Sequence, residues 1–72
     1  MVDSAKLKAI LVEKNLRQED AAKALGISTQ TFNYKINNKN EFLSSEIAKL
    51  CELLGVSDEQ RVVHIFFAKN VN

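Results

Sequence analysis

The feature that most constrains the fold is a glycine, Gly26, set between two short runs of helix-forming residues. The run before it, QEDAAKAL, has a face of small residues that allows another helix to approach closely. Glycine directly after the last apolar residue of a helix can adopt the left-handed conformation that ends the helix. Ser28 can then accept hydrogen bonds from the free amides that begin a second helix. The sequence therefore predicts two short helices joined by a turn of about three residues.

The second of these helices has two faces of different chemistry. Phe32 and Ile36 are four residues apart, so we expect both to point into the core. The opposite face carries amides and hydroxyls where a surface helix usually carries Glu and Lys: Thr29, Gln30, Asn33, Tyr34 and Asn37. Amides form bidentate pairs with the major-groove edge of adenine, and a threonine methyl can contact that of thymine. The strip that begins at Ser28 is therefore predicted to face DNA bases.

Tyr34 has a second interpretation, because its ring could cover the core beside Phe32. Its offset of two positions from Phe32 favours the DNA side. No acidic residue occurs over positions 21–40, so cations there can approach phosphates without carboxylate repulsion. On this basis we predict phosphate contacts at Lys35, Lys39 and Asn40. Arg17, which follows the first helix, is predicted to reach a further phosphate, with a solvated face as the alternative.

The segment resembles the helix-turn-helix of the lambda-repressor/Cro-like family. The residues that carry the likeness fall in register with that motif: Gln18, Ala22, Gly26, Phe32, Ile36 and Asn37. The likeness extends over positions 7–54, and the segments KINNKNEF and IFFA are similar to those of small Cro-like regulators of bacteriophages and prophages. The resemblance implies an all-α bundle of about five short helices with a helix-turn-helix.

The resemblance also implies roles for single residues. Gln18 and Asn37 would bind phosphates, and the residues facing bases would be Thr29, Gln30, Asn33 and Tyr34; Ser28, which begins the polar strip, is predicted to join them. Two positions depart from the family pattern. Arg17 stands where a Thr or Ser cap is usual, and Asn38 where glycine is usual. Asparagine tolerates the left-handed region best after glycine, so the turn at position 38 is still expected.

Length and charge narrow the function. Seventy-two residues predict one domain, over positions 1–72, with too little interior for a substrate cavity, so an enzyme is not expected. Residues 1–40 contain seven basic and four acidic residues, whereas residues 41–72 contain three and five. A basic half that carries the polar helix is the asymmetry expected of a one-sided DNA binder, although scatter among so few charges would also produce it.

Three further helices are predicted around the central pair. Asp3 or Ser4 can cap a first helix, Ser44 or Ser45 a fourth, and Ser57 with Gln60 forms a capping box for a fifth. Phe42 and Leu43 are predicted to anchor the loop before the fourth helix onto the core.

The C-terminal segment, positions 62–72, is too apolar to remain uncovered. It can return to the core, with an extended end, or it can meet the same surface of a second chain. We expect a homodimer built mainly from this segment, with Val63, Ile65, Phe66 and Phe67 at the interface.

The remaining reactive residues have structural explanations. Cys51 lies on an apolar stripe without a basic neighbour, which favours core packing over redox chemistry. His64 has no partner set for a metal, so a surface or interface position is expected. We expect no metal, cofactor or small-molecule ligand and no membrane span, and the N-terminus lacks the apolar core of a signal peptide, which predicts a cytoplasmic protein.

These observations together predict a sequence-specific transcriptional regulator that binds palindromic operator DNA as a homodimer. The sequence alone leaves two other classes open. One is a protein-interaction module on the same scaffold, such as an antitoxin or antirepressor partner, because a fold does not decide function. The other is an excision or architectural factor, which would bend DNA without preferring a two-fold symmetric site.

Overall fold

The computed structural model describes residues 1–68, and within that range five α-helices follow one another without a β-strand. They are α1 (Ser4–Glu13), α2 (Gln18–Leu25), α3 (Thr29–Ile36), α4 (Ser44–Leu54) and α5 (Glu59–Phe66). The predicted all-helical architecture is thus confirmed for the described residues. The prediction for the C-terminal segment extends into residues 69–72, which lie outside them.

All five helices and the loop before α4 contribute to one apolar core. Phe32 and Ile36 of α3 are fully buried, as predicted. Phe42 packs edge-on against Phe32 on one side and Phe66 on the other, with ring centroids 5.7 Å and 6.1 Å apart. Such edge-to-face contacts match the positive edge of one ring to the negative face of the next. The loop after α3 is therefore anchored by an aromatic side chain that joins α3 to α5.

The turn between α2 and α3 forms as the sequence predicts. Gly26 is left-handed, with φ 73°, and the amide of Ile27 donates to the carbonyl of Ala22 at 3.0 Å. These are the hydrogen bond and the glycine conformation of a Schellman helix end. The hydroxyl of Ser28 accepts from the amide of Thr31 at 3.0 Å and so begins α3.

The starts of α4 and α5 differ from the prediction. Neither Ser44 nor Ser45 caps α4; instead the carboxylate of Glu46 accepts from the amide of Leu43 at 2.8 Å. Leu43 is 61% exposed, so the prediction that it anchors the loop was wrong. At α5 the cap is Asp58, one residue after the predicted Ser57, and its carboxylate accepts from the Gln60 amide. At α5 a carboxylate thus replaces the predicted serine, whereas at α4 no side chain caps the first-turn amides and Glu46 binds the amide of the cap residue itself.

The N-terminal residues tie α1 to the ends of α3 and α5. The amide of Asp3 donates to the carbonyl of Ile65 at 2.7 Å, and the hydroxyl of Ser4 donates to the carbonyl of Ile36. The side-chain amide of Asn38 accepts from the N–H of Val2 at 2.8 Å and donates to its C=O at 2.9 Å. Asn38 has φ 63°, so this asparagine adopts the left-handed conformation that glycine would otherwise supply.

The C-terminal helix divides the predicted interface residues into two groups. Ile65 and Phe66 are each only 3% exposed, because they pack into the core of the single chain, near α1 and against Phe42 respectively. The prediction that these two residues meet a second chain was therefore wrong. Val63 and Phe67, which lie one turn apart on the outer side of α5, remain 45% and 55% exposed.

Candidate nucleic-acid interface

The outer face of α3 consists of polar side chains that the fold leaves exposed. Thr29, Asn33 and Asn37 follow one another at four-residue intervals, and Gln30 and Tyr34 form a second row beside them. All five are exposed, including Tyr34 at 39%. The structure therefore brings together the predicted base-facing residues on one surface, which we call the polar face of α3.

Hydrogen bonds hold the polar face in a defined arrangement. Asn33 donates to the side-chain oxygen of Gln18, on α2, at 3.2 Å, and Gln30 donates to the Tyr34 hydroxyl at 3.2 Å. The side chain of Asn37 donates to the Asn33 carbonyl at 2.9 Å. Each donating amide keeps a second N–H for an outside partner, and Gln30 and Asn33 also keep their carbonyl oxygens. The face is thus partly ordered but still has free donors and acceptors.

Ser28 lies at the edge of this surface and is engaged within the chain. Its hydroxyl accepts from the Thr31 amide and also donates to the Thr31 hydroxyl at 2.8 Å. As the start of the polar strip, Ser28 was predicted to face a base. In the structure its side chain is exposed, but its donor is already used, which leaves it one lone pair for another partner.

Lys35 does not belong to the exposed surface, so its prediction as a phosphate contact was wrong. Its side chain is 11% exposed, and its ammonium lies 2.6 Å from the carboxylate of Glu46 on α4. Lys35 is three positions beyond Phe32 and therefore lies on the inner side of α3. That spacing is the sequence signal that could have identified it, whereas its partner on α4 could not be named before the helices were placed.

Glu46 satisfies two donors with one carboxylate oxygen, which accepts from Lys35 and from the Leu43 amide. Burial alone would raise the pKa of this carboxyl. The two hydrogen bonds, together with the charges of Lys35 and Lys49, outweigh burial and hold its pKa below the ordinary glutamate value. The Glu46 carboxylate therefore stays ionised at neutral pH, and its contact with Lys35 connects α3 to the start of α4.

The other predicted phosphate contacts at the two ends of the helix pair are exposed, except for Gln18, which is half-buried. Arg17 precedes α2, and its guanidinium lies 2.9 Å from Glu19 and 3.6 Å from Asp20, so its charge is partly compensated. Lys39 and Asn40 come after α3 and are exposed, and the ammonium of Lys39 lies over the Tyr34 ring, 5.7 Å from its centre.

Lys8 is a cation of this region that the sequence did not identify. It belongs to α1, is exposed, and its ammonium donates to the side-chain oxygen of Asn37 at 3.1 Å. Residue types and spacing within α1 mark Lys8 only as part of a solvated face. Its position beside α3 depends on how α1 crosses α3, which local sequence patterns do not specify.

Two clefts border α5, one on each side of the helix. Phe67 and Met1, 59% exposed, line the mouth of a small cleft whose floor includes Phe42, Ile47 and Phe66. On the other side of α5, His64 is exposed and lines a cleft of about 290 Å³ against α1 with Arg61 and Lys6.

Cys51 packs partly buried against the core, and burial raises the pKa of its thiol. Among residues 1–68 no three His, Cys, Asp or Glu side chains gather closely enough to hold a metal ion. Over the same residues, none of the helices has the length and apolar character needed to cross a bilayer.

The fold defines the protein as a small five-helix all-α protein over the residues described. The chain belongs to the family described as "Protein of unknown function (DUF739)", whose model matches residues 1–69. No curated protein and no solved structure matches it.

Proposed function

We propose that this protein is a sequence-specific transcriptional regulator that inserts α3 into the major groove of double-stranded DNA. The observation that carries the proposal is the polar face of α3, where exposed amides and hydroxyls have no acidic neighbour over positions 21–40. A helix fits the width of the major groove, where base edges present donors, acceptors and methyl groups. The polar face offers the complementary groups.

Gln30 and Asn33 are the side chains best suited to read bases. Each has used one N–H inside the chain, on Tyr34 and Gln18 respectively, and each keeps one N–H and its carbonyl oxygen. One donor and one acceptor are what adenine N7 and N6 require of a bidentate partner. Because the internal hydrogen bonds hold both amides in place, less side-chain freedom would be lost on binding.

Phosphate contacts would lie at both ends of the helix pair. Arg17 and Gln18 begin α2, while Lys39 and Asn40 come after α3. Contacts of this kind orient a protein on the duplex without reading sequence. They would make binding weaker as salt concentration rises, because each neutralised phosphate releases condensed counterions.

Two copies on a palindromic operator are part of the proposal. Val63 of α5 and Phe67, directly after it, supply exposed apolar area for a second copy. The described domain measures 27 × 25 × 22 Å, which is less than the roughly 34 Å that separates successive major grooves on one side of DNA. A homodimer could therefore place one α3 in each groove. The protein would act in the cytoplasm, where a dimer bound to the operator would exclude polymerase. The fraction of operator bound would depend on protein concentration through the dimer equilibrium.

The direct test is selection of bound duplexes from a random DNA pool. A two-fold symmetric consensus is the expected result. An asymmetric consensus would contradict the dimeric part of the proposal. If no duplex were retained even at low salt, DNA binding itself would be rejected in favour of a protein-interaction module.

A variant pair tests the role of the polar face. Gln30→Ala should weaken binding to the selected site by about 1–3 kcal/mol and relax the preference at one base pair. Gln60→Ala is the matched control, because Gln60 occupies the same second position of α5 and is equally exposed. It should leave affinity and consensus unchanged. Equal effects of the two variants would refute base reading by α3.

A further inference from the structure

We propose that Lys8 of α1 binds a DNA phosphate at the C-terminal end of α3, with Asn37 as its positioning residue. This inference rests on the proposed function and names a third helix as part of the DNA surface. Its starting point is the 3.1 Å hydrogen bond from the Lys8 ammonium to the side-chain oxygen of Asn37, between helices that are far apart in sequence.

The position of Lys8 is set by several contacts around it. Ser4, one turn before Lys8 on α1, donates its hydroxyl to the carbonyl of Ile36, the last residue of α3. Asn38 holds the backbone of Val2 by two further hydrogen bonds. One edge of α1 is thereby fixed against residues 36–38. Lys8 lies on this edge because residues four apart share a helix face.

The hydrogen bonds of Asn37 leave little capacity for a phosphate of its own. Its oxygen accepts from Lys8, and its nitrogen donates one hydrogen to the Asn33 carbonyl. One N–H remains, and it is uncharged. Lys8 has two further donors and a full charge, and within residues 1–68 it has no ion-pair partner. A phosphate at this place would therefore gain most from Lys8.

Charge balance in the region favours the same assignment. Lys35 cannot serve a phosphate here, since its ammonium is paired with Glu46 inside the protein. Lys39 lies over the Tyr34 ring. Lys8 supplies positive charge at the other side of Asn37, and positions 21–40 contain no acidic residue. A phosphodiester, whose oxygens accept from ammonium and amide donors together, fits this pair.

The test is the salt dependence of binding to a fluorescein-labelled random-sequence duplex of about two helical turns, measured by anisotropy. Salt would be varied from about 50 to 200 mM, and the slope of log K against log salt would be compared between variants. Lys8→Gln should make the slope shallower by about 0.9 for each bound protomer, and hence by about 1.8 for a bound dimer, because each protomer loses one phosphate contact. Lys8→Arg keeps the charge and should restore the slope.

Lys6→Gln is the matched control, because it removes the same charge from the same helix. Lys6 lines the cleft between α1 and α5, two positions from Lys8 and therefore on the opposite side of α1. Its slope should equal that of the unmodified protein. Equal slopes for Lys8→Gln and the unmodified protein, or equal reductions in both variants, would overturn the Lys8 assignment alone. If the unmodified protein did not bind the duplex, the proposed function would fall together with it.

Discussion

The helix pair α2–α3 and the helix pair α4–α5 are built on the same plan. In each, the first helix ends at a left-handed glycine, with φ 73° at Gly26 and 68° at Gly55. In each, the residue after the glycine donates its amide back to the first helix, from Ile27 at 3.0 Å and from Val56 at 2.9 Å. Both second helices contain eight residues. The segments LGIS and LGVS thus specify the same helix end twice.

The two pairs differ in the residues after the glycine. Ser28 is the N-cap of α3, whereas the N-cap of α5 is Asp58, one residue after the corresponding Ser57. The apolar residue that follows the glycine is also buried more deeply in the second pair. Val56 is 4% exposed, whereas Ile27 is only half-buried. The outer face of α3 then carries amides and hydroxyls, and that of α5 carries apolar Val63 and Phe67.

The comparison separates helix-end chemistry from function. A glycine stop and a capping residue satisfy the free backbone groups of any helix end, so their presence does not indicate what a helix binds. The difference lies in the side chains of the outer faces. The polar face suits base edges, and the apolar face suits a second protein chain.

The largest expected effect concerns two adjacent residues at the end of the α4–α5 pair. Phe66→Asp should destabilise the chain by at least about 3 kcal/mol, because it removes a buried ring and places a carboxylate in the core. Phe67→Asp should change the unfolding free energy of the single chain by less than about 0.5 kcal/mol, since Phe67 is exposed there.

Urea melts measure both effects, and analytical ultracentrifugation of Phe67→Asp tests the proposed dimer. The expected result is a folded monomer. A Phe66→Asp variant as stable as Phe67→Asp would contradict the division of α5 into a buried and an outer side.

A smaller effect is expected at the ion pair that connects the two helix pairs. Lys35→Met should cost about 2 kcal/mol, because Glu46 would keep a largely buried charge with only the Leu43 amide as donor. The pKa of Glu46 is lowered in the folded protein, so its contribution is present above the unfolded pKa and is lost as pH falls through the folded pKa.

The unfolding free energy should therefore decrease as pH falls below about 4.3, and it should do so less steeply in Glu46→Gln. Chemical denaturation over a pH series makes the comparison, and the remaining carboxylates cancel because both proteins contain them. Parallel pH profiles for the two proteins would show that the pair does not stabilise the fold through its charges.

The smallest effect tests the serines of the two turns. Ser28→Ala should destabilise the protein by about 1 kcal/mol through loss of the hydrogen bond to the Thr31 amide. Ser57→Ala should have almost no effect, because Asp58 provides the cap of α5. Thermal melts of the two variants provide the measurement. Equal destabilisation would mean that the two turns do not differ in their capping residue.

Sequence patterns within a few residues were sufficient to predict the helix ends and the buried side of the helix pair α2–α3. Gly26, Ser28, Phe32 and Ile36 could each be assigned from neighbours within four residues, and the structure places all four as expected. The exposure of the polar face followed from the burial of Phe32 and Ile36 on the opposite side.

Positions that depend on another part of the chain could not be assigned in this way. Lys35 pairs with a carboxylate eleven residues away, and Lys8 meets Asn37 across twenty-nine residues. For Ile65 and Phe66 the composition required a cover, but it did not distinguish the core of one chain from a second chain. For Phe66, the contact with Phe42 in the structure shows that the cover is the core of the same chain.

The half-buried thiol of Cys51 makes the chain its own stability probe. It is the only cysteine in the sequence, and its raised pKa keeps it protonated and slow to react with alkylating reagents while α4 is packed. Unfolding would release the thiol, so the labelling rate would report how often this part of the molecule opens. Each of the stability variants could be compared on that scale without adding a dye or a further substitution.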